Sequence, residues 1–195
     1  MFNFSWLEFA AFVFSCVGIV LEKHEKKLFW LFYIIASALF VYEFFIAGLF
    51  ASSAIQSLYV LIALYGIWTW RRSGVANSPL RIQTMPLKLR LRYFLYSLLI
   101  WACLYYVSIR IEDVSPAIDS LILMLALVAS YLSCYKYIES WLIFIIVGIV
   151  ESLLYFSSGL MFTAITCVVM TALDINGLFY WQKVLVKNSA EIAHG

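Results

Sequence analysis

Charged side chains are scarce in this chain: 12% of its 195 residues are Asp, Glu, Lys or Arg, about half the share of an ordinary soluble domain. Hydrophobic residues make up 65% and mean hydropathy is +0.97. The apolar content runs along the whole length, which excludes a soluble enzyme with one anchor and a disordered or collagen-like chain. Histidine is nearly absent. His24 and His194 are too few and too far apart for a zinc cluster or an HExxH motif, so no metal ligand is expected, metal hydrolysis is not expected, and no cofactor is called for. The four cysteines, Cys16, Cys103, Cys134 and Cys167, form no CxxC and lie in or at the ends of apolar segments, where buried free thiols are expected. A net charge of +2, with its basic residues at segment ends, gives no nucleic-acid partner.

What remains is a chain built for a bilayer. A helix crosses the hydrocarbon with about 20 apolar residues. Windows of that kind, ended by charges, Gly or Pro, fall at 4–21, 28–47, 53–70, 93–110, 117–135, 140–157 and 160–182. The fold class is therefore an all-α polytopic membrane protein with seven transmembrane helices. The first window lacks a basic n-region and carries Glu8; Glu22-Lys23-His24-Glu25-Lys26-Lys27 follows it where a signal peptide would have a cleavage site, so it is expected to be retained. With the N-terminus outside and the C-terminus cytoplasmic, all of the 13 Lys and Arg except Arg110, beside Glu112 and Asp113, are cytoplasmic. The stretch 73–92, containing Ser73-Gly74, Asn77-Ser78-Pro79 and Pro86, reads as a polar cytoplasmic linker whose basic residues set orientation and meet anionic lipid.

Against itself at a constant offset of 111 residues, the chain matches Glu8 with Asp119, Trp30 with Trp141, Tyr33 with Phe144, Gly48-Leu49 with Gly159-Leu160, Gly66 with Gly177 and Trp70 with Trp181, without a gap. Acid on acid, Gly on Gly and Trp on Trp at one register point to a duplication. Three spans are an odd number, so a direct copy keeps its orientation only if one more crossing intervenes. The expected architecture is 3+1+3: parallel units at 4–72 and 115–183, a linker and bridging helix at 73–110, and a cytoplasmic tail at 184–195. Parallel repeats of this kind are a transporter architecture, with substrate held near the midplane.

Helical spacing places Gln56, Tyr59, Ala63, Gly66 and Trp70 on one face of the third span. Trp141, Phe144, Gly148, Glu151 and Tyr155 share a face of the sixth, and Thr163, Thr166, Cys167, Met170, Asp174, Gly177 and Trp181 a side of the seventh. These faces are expected to converge on an aromatic-walled cavity, with Gly148 leaving room. Glu151 and Asp174 cost roughly 2.5–3.5 kcal/mol each at the bilayer centre if ionised, so they should face a cavity or partner. No Lys or Arg lies within the spans; protonation, water or a cationic substrate must neutralise them. Glu43 is close enough to the outer end of its span to reach the interface. Trp6, Trp30, Trp70, Trp101, Trp141 and Trp181 all sit near span ends, where an interfacial belt is the default. Glu8 and Asp119 open their helices and are read first as partners of the helix dipole.

Gln56-x-x-Tyr59 followed by Tyr65-Gly66-Ile67-Trp68-Thr69-Trp70, then Lys136-Tyr137-Ile138-Glu139-Ser140-Trp141 and the closing Gly177-x-x-Tyr180-Trp181, resembles the nicotinamide riboside transporter (PnuC) family of bacterial vitamin transporters, from Glu8 to Trp181. The resemblance implies a 3+1+3 fold shaped like the sugar-transporting SWEET proteins, facilitated diffusion of a vitamin across the inner membrane, a homotrimer, and trapping of the substrate by cytoplasmic phosphorylation. Riboside-type members are expected to show WxxW on the sixth span followed by Asp or Asn; here it reads Trp141-Leu142-Ile143-Phe144 and then Gly148, and Glu151 stands where a small or neutral residue is expected. The substrate expected is nicotinamide riboside, with thiamine as the alternative and riboflavin behind both, because the first two are flat cations suited to aromatic rings and a carboxylate. Trp141, Phe144 and Tyr155 are expected to stack on or flank the ring, Gln56 and Tyr59 to hydrogen-bond its substituents, and Glu151 or Asp174 to balance its charge. Two other classes compete. A membrane-embedded enzyme using Glu151 and Asp174 lacks a nucleophile, metal or lipid-phosphate motif; a structural membrane protein fits the hydropathy but leaves the one-sided intramembrane acids without a purpose.

Overall fold

The computed structural model describes residues 6–46, 48, 50–72, 80–110 and 115–194. Apolar runs bounded by charges become α1 (Trp6–Lys23), α2 (Phe29–Ile46), α3 (Phe50–Arg72), α4 (Leu87–Arg110), α5 (Pro116–Ser133), α6 (Glu139–Ser157) and α7 (Met161–His194). Among the described residues six of them, α2 to α7, are long and apolar enough to cross a membrane. The remaining one, α1, has 18 residues and carries Glu8, Glu22 and Lys23. The chain is thus a multi-pass, all-helical membrane protein.

Helices that follow one another in the chain pack together at both of its ends. α1 packs on α2 and α2 on α3; α5 packs on α6 and α6 on α7; α1 also meets α7, and α3 meets α5. The connections repeat in detail. The turn after α1 passes through Glu25 at φ 55° and the turn after α5 through Lys136 at φ 55°, while Gly48 and Gly159 both stand at φ 75°. In the first pair of turns Lys26 N–H donates to Leu21 C=O at 2.9 Å and Tyr137 N–H to Leu132 C=O at 3.3 Å. In the second, Gly48 N–H reaches Phe45 C=O and Gly159 N–H reaches Phe156 C=O, each at 3.1 Å. Glycine suits the second pair because a Cβ is penalised in left-handed backbone.

Four tryptophans expected in an interfacial belt are in the core. Trp30, Trp141 and Trp181 have no exposed surface and Trp70 has 2%, whereas Trp6 is 76% exposed. Trp30 packs edge-on against Trp70 with centroids 5.5 Å apart at 85°, and Trp141 against Trp181 at 5.3 Å and 85°. A Cβ on Gly66 would fall inside the Trp30 indole and one on Gly177 inside that of Trp141. Ends of spans carry tryptophan in either case, so position along the helix cannot tell belt from core. The glycine four residues before Trp70 and Trp181 marks the difference.

The basic stretch differs from the expected linker. Residues 73–79 lie outside the described residues, but 80–86 dock on the α5–α6 turn. Gln83 N–H donates to Lys136 C=O at 3.1 Å, Ile138 N–H returns to Gln83 C=O at 3.0 Å, and Met85 N–H donates to both Glu139 carboxylate oxygens at 3.0 and 3.1 Å. Ile82 and Met85 are buried. After Pro86 the chain is already helical, and Arg90 pairs with Glu139 at 2.6 Å in place of lipid. In the same turn Tyr137 holds its proton more tightly than a free phenol, through burial first and then the neighbouring Glu139 carboxylate. α7 likewise continues through the expected tail. Its 34 residues span about 51 Å, well past the hydrocarbon.

Candidate functional site

Two cavities inside the bundle collect the polar residues that the apolar helices carry. The one at the end of the bundle that carries the α2–α3 and α6–α7 turns, termed the outer cavity, is about 430 Å³ and opens among the ends of α2, α4 and α6 and the starts of α3 and α5. One turn apart on α3, Gln56 and Tyr59 supply an amide and a phenol. One turn apart on α6, Glu151 and Tyr155 supply a carboxylate and a second phenol. Asp119 and Ser120 near the start of α5, Ser52 near the start of α3 and Ser108 from the last turns of α4 complete the polar lining. Glu151 Oε2 takes a weak contact from Cys167 Sγ at 3.9 Å, and no basic side chain is among the described residues lining the cavity.

The inner cavity is smaller, about 100 Å³, and lies toward the opposite end of the bundle. Phe144 and Asp174 line it, with Glu22, Tyr33, Ser130 and Ser133. Tyr33 and Tyr59, one lining each cavity, face each other edge-on with centroids 6.2 Å apart. Tyr33 Oη and Ser130 Oγ are 2.9 Å apart, which fixes the inner ring.

The structure therefore divides the expected convergence. Gln56, Tyr59, Glu151 and Tyr155 come together at the outer cavity, and Phe144 and Asp174 sit at the inner one. Trp141 and Gly148 line neither. Trp141 is spent on packing against Trp181 and Gly177, because an indole beside a glycine gains more by burial than by standing at a wet surface. Gly148 leaves no void, since Thr171 Oγ1 occupies the space a Cβ would need. Ala63, Gly66 and Trp70, on the same α3 stripe as Gln56, likewise pack on Trp30. Glu43 does not reach out to the interface: its Oε2 is buried and has no hydrogen-bond partner among the described residues. Asp119 lines the outer cavity as well as opening α5, and the side chain of its counterpart Glu8 lies outside the described residues.

Glu22 opens a charged run, which in the sequence alone reads as the solvated end of a helix. Its signal was helical spacing: Ser15, Gly18 and Glu22 share a face of α1. Among the described residues no group of three or more His, Cys, Asp or Glu side chains gathers as if to hold a metal ion.

The sequence pattern of a family described as nicotinamide mononucleotide transporter matches residues 5–183. The chain is 24% identical over 206 aligned positions to the nicotinamide riboside transporter PnuC of Escherichia coli strain K12, covering 92% of this chain and 86% of that protein. The protein of the same name from Shigella flexneri matches to the same extent. Among solved structures, the crystal structure of the vitamin B3 transporter PnuC superposes with a TM-score of 0.72 at 20% identity over 94% of this chain and 83% of that one, a likeness of fold.

Proposed function

The chain belongs to the nicotinamide mononucleotide transporter family, a family of transporters and not of enzymes, and from that membership we propose that it takes up a flat cationic vitamin across the inner membrane by facilitated diffusion. Nicotinamide riboside is the substrate favoured by the relatives at 24% identity; thiamine is the alternative. The observation that carries the reading is the outer cavity: two phenols, an amide and two carboxylates, Glu151 and Asp119, lining one space with no basic residue among the described lining residues. At about 430 Å³ it falls within the ~300–1,000 Å³ usual for small-molecule sites. Tyr59 and Tyr155 would flank the pyridinium, Gln56 would bond its polar substituents, and Glu151 would supply the charge. Phe144 and Asp174 would meet the ring further along its path.

The carrier would be built as two parallel three-helix units joined by α4, related by an axis along the membrane normal. Supporting this are the equal φ angles at Glu25 and Lys136 and at Gly48 and Gly159, the matched Trp–Trp pairs, and the swap of α1–α7 contact for α5–α3. Residues in equivalent positions also touch: the Ser133 hydroxyl donates to Glu22, and Lys136 Nζ pairs with Glu25 at 2.6 Å, each across 111 residues. Contacts of that kind belong near an axis. The N-terminus would lie outside and the C-terminus in the cytoplasm, with three chains assembling in the lipid. Uptake of labelled nicotinamide riboside into proteoliposomes, without ATP or an ion gradient, tests the function; accumulation only to the outside concentration is expected, and no uptake of either cationic vitamin would overturn it.

A further inference from the structure

Beyond the vitamin site, the inner cavity presents a second recognition chemistry. Its polar lining is Ser15 and Glu22 of α1, Tyr33 of α2, Ser130 and Ser133 of α5 and Asp174 of α7, and no Lys, Arg or His is among the lining residues. Glu22, 3% exposed, accepts a hydrogen bond from the Ser133 hydroxyl. Asp174 is 8% exposed, lines the cavity, and takes no hydrogen bond from any described residue; the charged group close enough to act on it is Glu22. Two carboxylates thus share a buried space without a counter-charge, which is costly unless a proton or a cation joins them.

The size of the space and the kind of donor restrict that cation. About 100 Å³ corresponds to roughly three water molecules at ~30 Å³ each, so a pyridine nucleoside passes Phe144 and Asp174 only when the helices around them part, and the cavity as it stands fits a small ion. The donors are carboxylate and hydroxyl oxygens, a hard set that suits an alkali or alkaline-earth ion and not the softer metals that seek imidazole or thiolate. Divalent ions give up water reluctantly and ask for more ligands than two carboxylates and a few hydroxyls provide. The position is between α1 and α7, where the first and last three helices meet, and interfaces of that kind hold coupling ions in other carriers.

We propose that the inner cavity binds a monovalent metal cation, Na⁺, between the Asp174 and Glu22 carboxylates, with the hydroxyls of Ser130, Ser133 and Tyr33 completing its shell. The ion is a resident counter-charge that stabilises the contact of α1 with α7, and it requires no gradient. The inference does not depend on which vitamin is carried.

Thermal unfolding of the purified full chain at pH 8, with choline chloride replaced stepwise by NaCl at constant ionic strength, tests it. The melting temperature is expected to rise with Na⁺ and to saturate, with a parallel change in tryptophan emission because Trp30 lines the cavity. Asp174→Asn should abolish the rise, and Glu22→Gln should move its midpoint at least tenfold; should the first variant fail to fold, the second and Ser130→Ala carry the test. Glu151→Gln, at the outer cavity, should keep the Na⁺ response, so a failed vitamin assignment and a failed sodium site are read separately. Equal melting in NaCl and choline chloride, or a Na⁺ response unchanged in the inner-cavity variants, overturns the proposal. So does a response to pH alone, in which the carboxylates share a proton, or a larger shift with micromolar Ca²⁺.

Discussion

Glu151 and Tyr155 carry the clearest consequences for recognition, because both face the outer cavity without a basic neighbour. Glu151→Gln is expected to weaken a cationic vitamin by about 1–3 kcal/mol and to leave a neutral isostere of the same shape nearly unaffected, since only the charged ligand loses a desolvated ion contact. Isothermal titration of the purified protein against nicotinamide riboside, thiamine and riboflavin measures both, and a preference for riboflavin would remove the charge argument. Tyr155→Ala should cost a further ~0.5–1.5 kcal/mol of aromatic contact. Phe144→Ala, at the inner cavity, should slow transport more than it weakens binding. Initial rates and affinities of the two variants, measured side by side, show which cavity takes the ring first.

At the scale of elements, the glycines beside the tryptophans are the weak points of the packing. Gly66→Ala and Gly177→Ala each force a methyl into an indole, an overpacking expected to cost about 1–3 kcal/mol. Gly48→Ala and Gly159→Ala meet open space but positive φ, and should cost about 1–2 kcal/mol each. Melting temperatures of the four variants should rank in that order. The helices themselves were legible in the sequence because the bilayer fixes their length and the apolar runs can hardly end elsewhere. The start of α4 was not: Lys88, Arg90 and Arg92 after Pro86 look like a solvated linker until Glu139 is known to lie beside them. Of the outer cavity, Gln56, Tyr59, Glu151 and Tyr155 were legible from helical spacing alone. Trp141 and Gly148 were not, because spacing gives the face of a helix and not which neighbour fills it.

For the whole molecule, orientation can be read directly. A cysteine at exposed Thr84, in a background with Cys103 replaced, should be labelled by a membrane-impermeant maleimide only from the cytoplasmic side; labelling from outside would invert the topology. The closure between the two sets of helices is equally open to test. Lys136 pairs with Glu25, lies 4.7 Å over the Trp70 ring and donates to Leu80 C=O. Lys136→Glu should therefore destabilise the fold by setting two acids together, and adding Glu25→Lys should recover part of the loss, a coupling of about 0.5–3 kcal/mol in a double-mutant cycle. The same contact constrains ancestry. A half-length precursor assembling with a copy of itself would set glutamate against glutamate, or lysine against lysine, at this turn. If the halves arose by the duplication proposed above, opposite charges became possible only once the two copies were joined and free to diverge, leaving halves that are complementary where a single copy would not be self-complementary. Expressed apart, residues 1–110 and 111–195 should recover transport only when produced together.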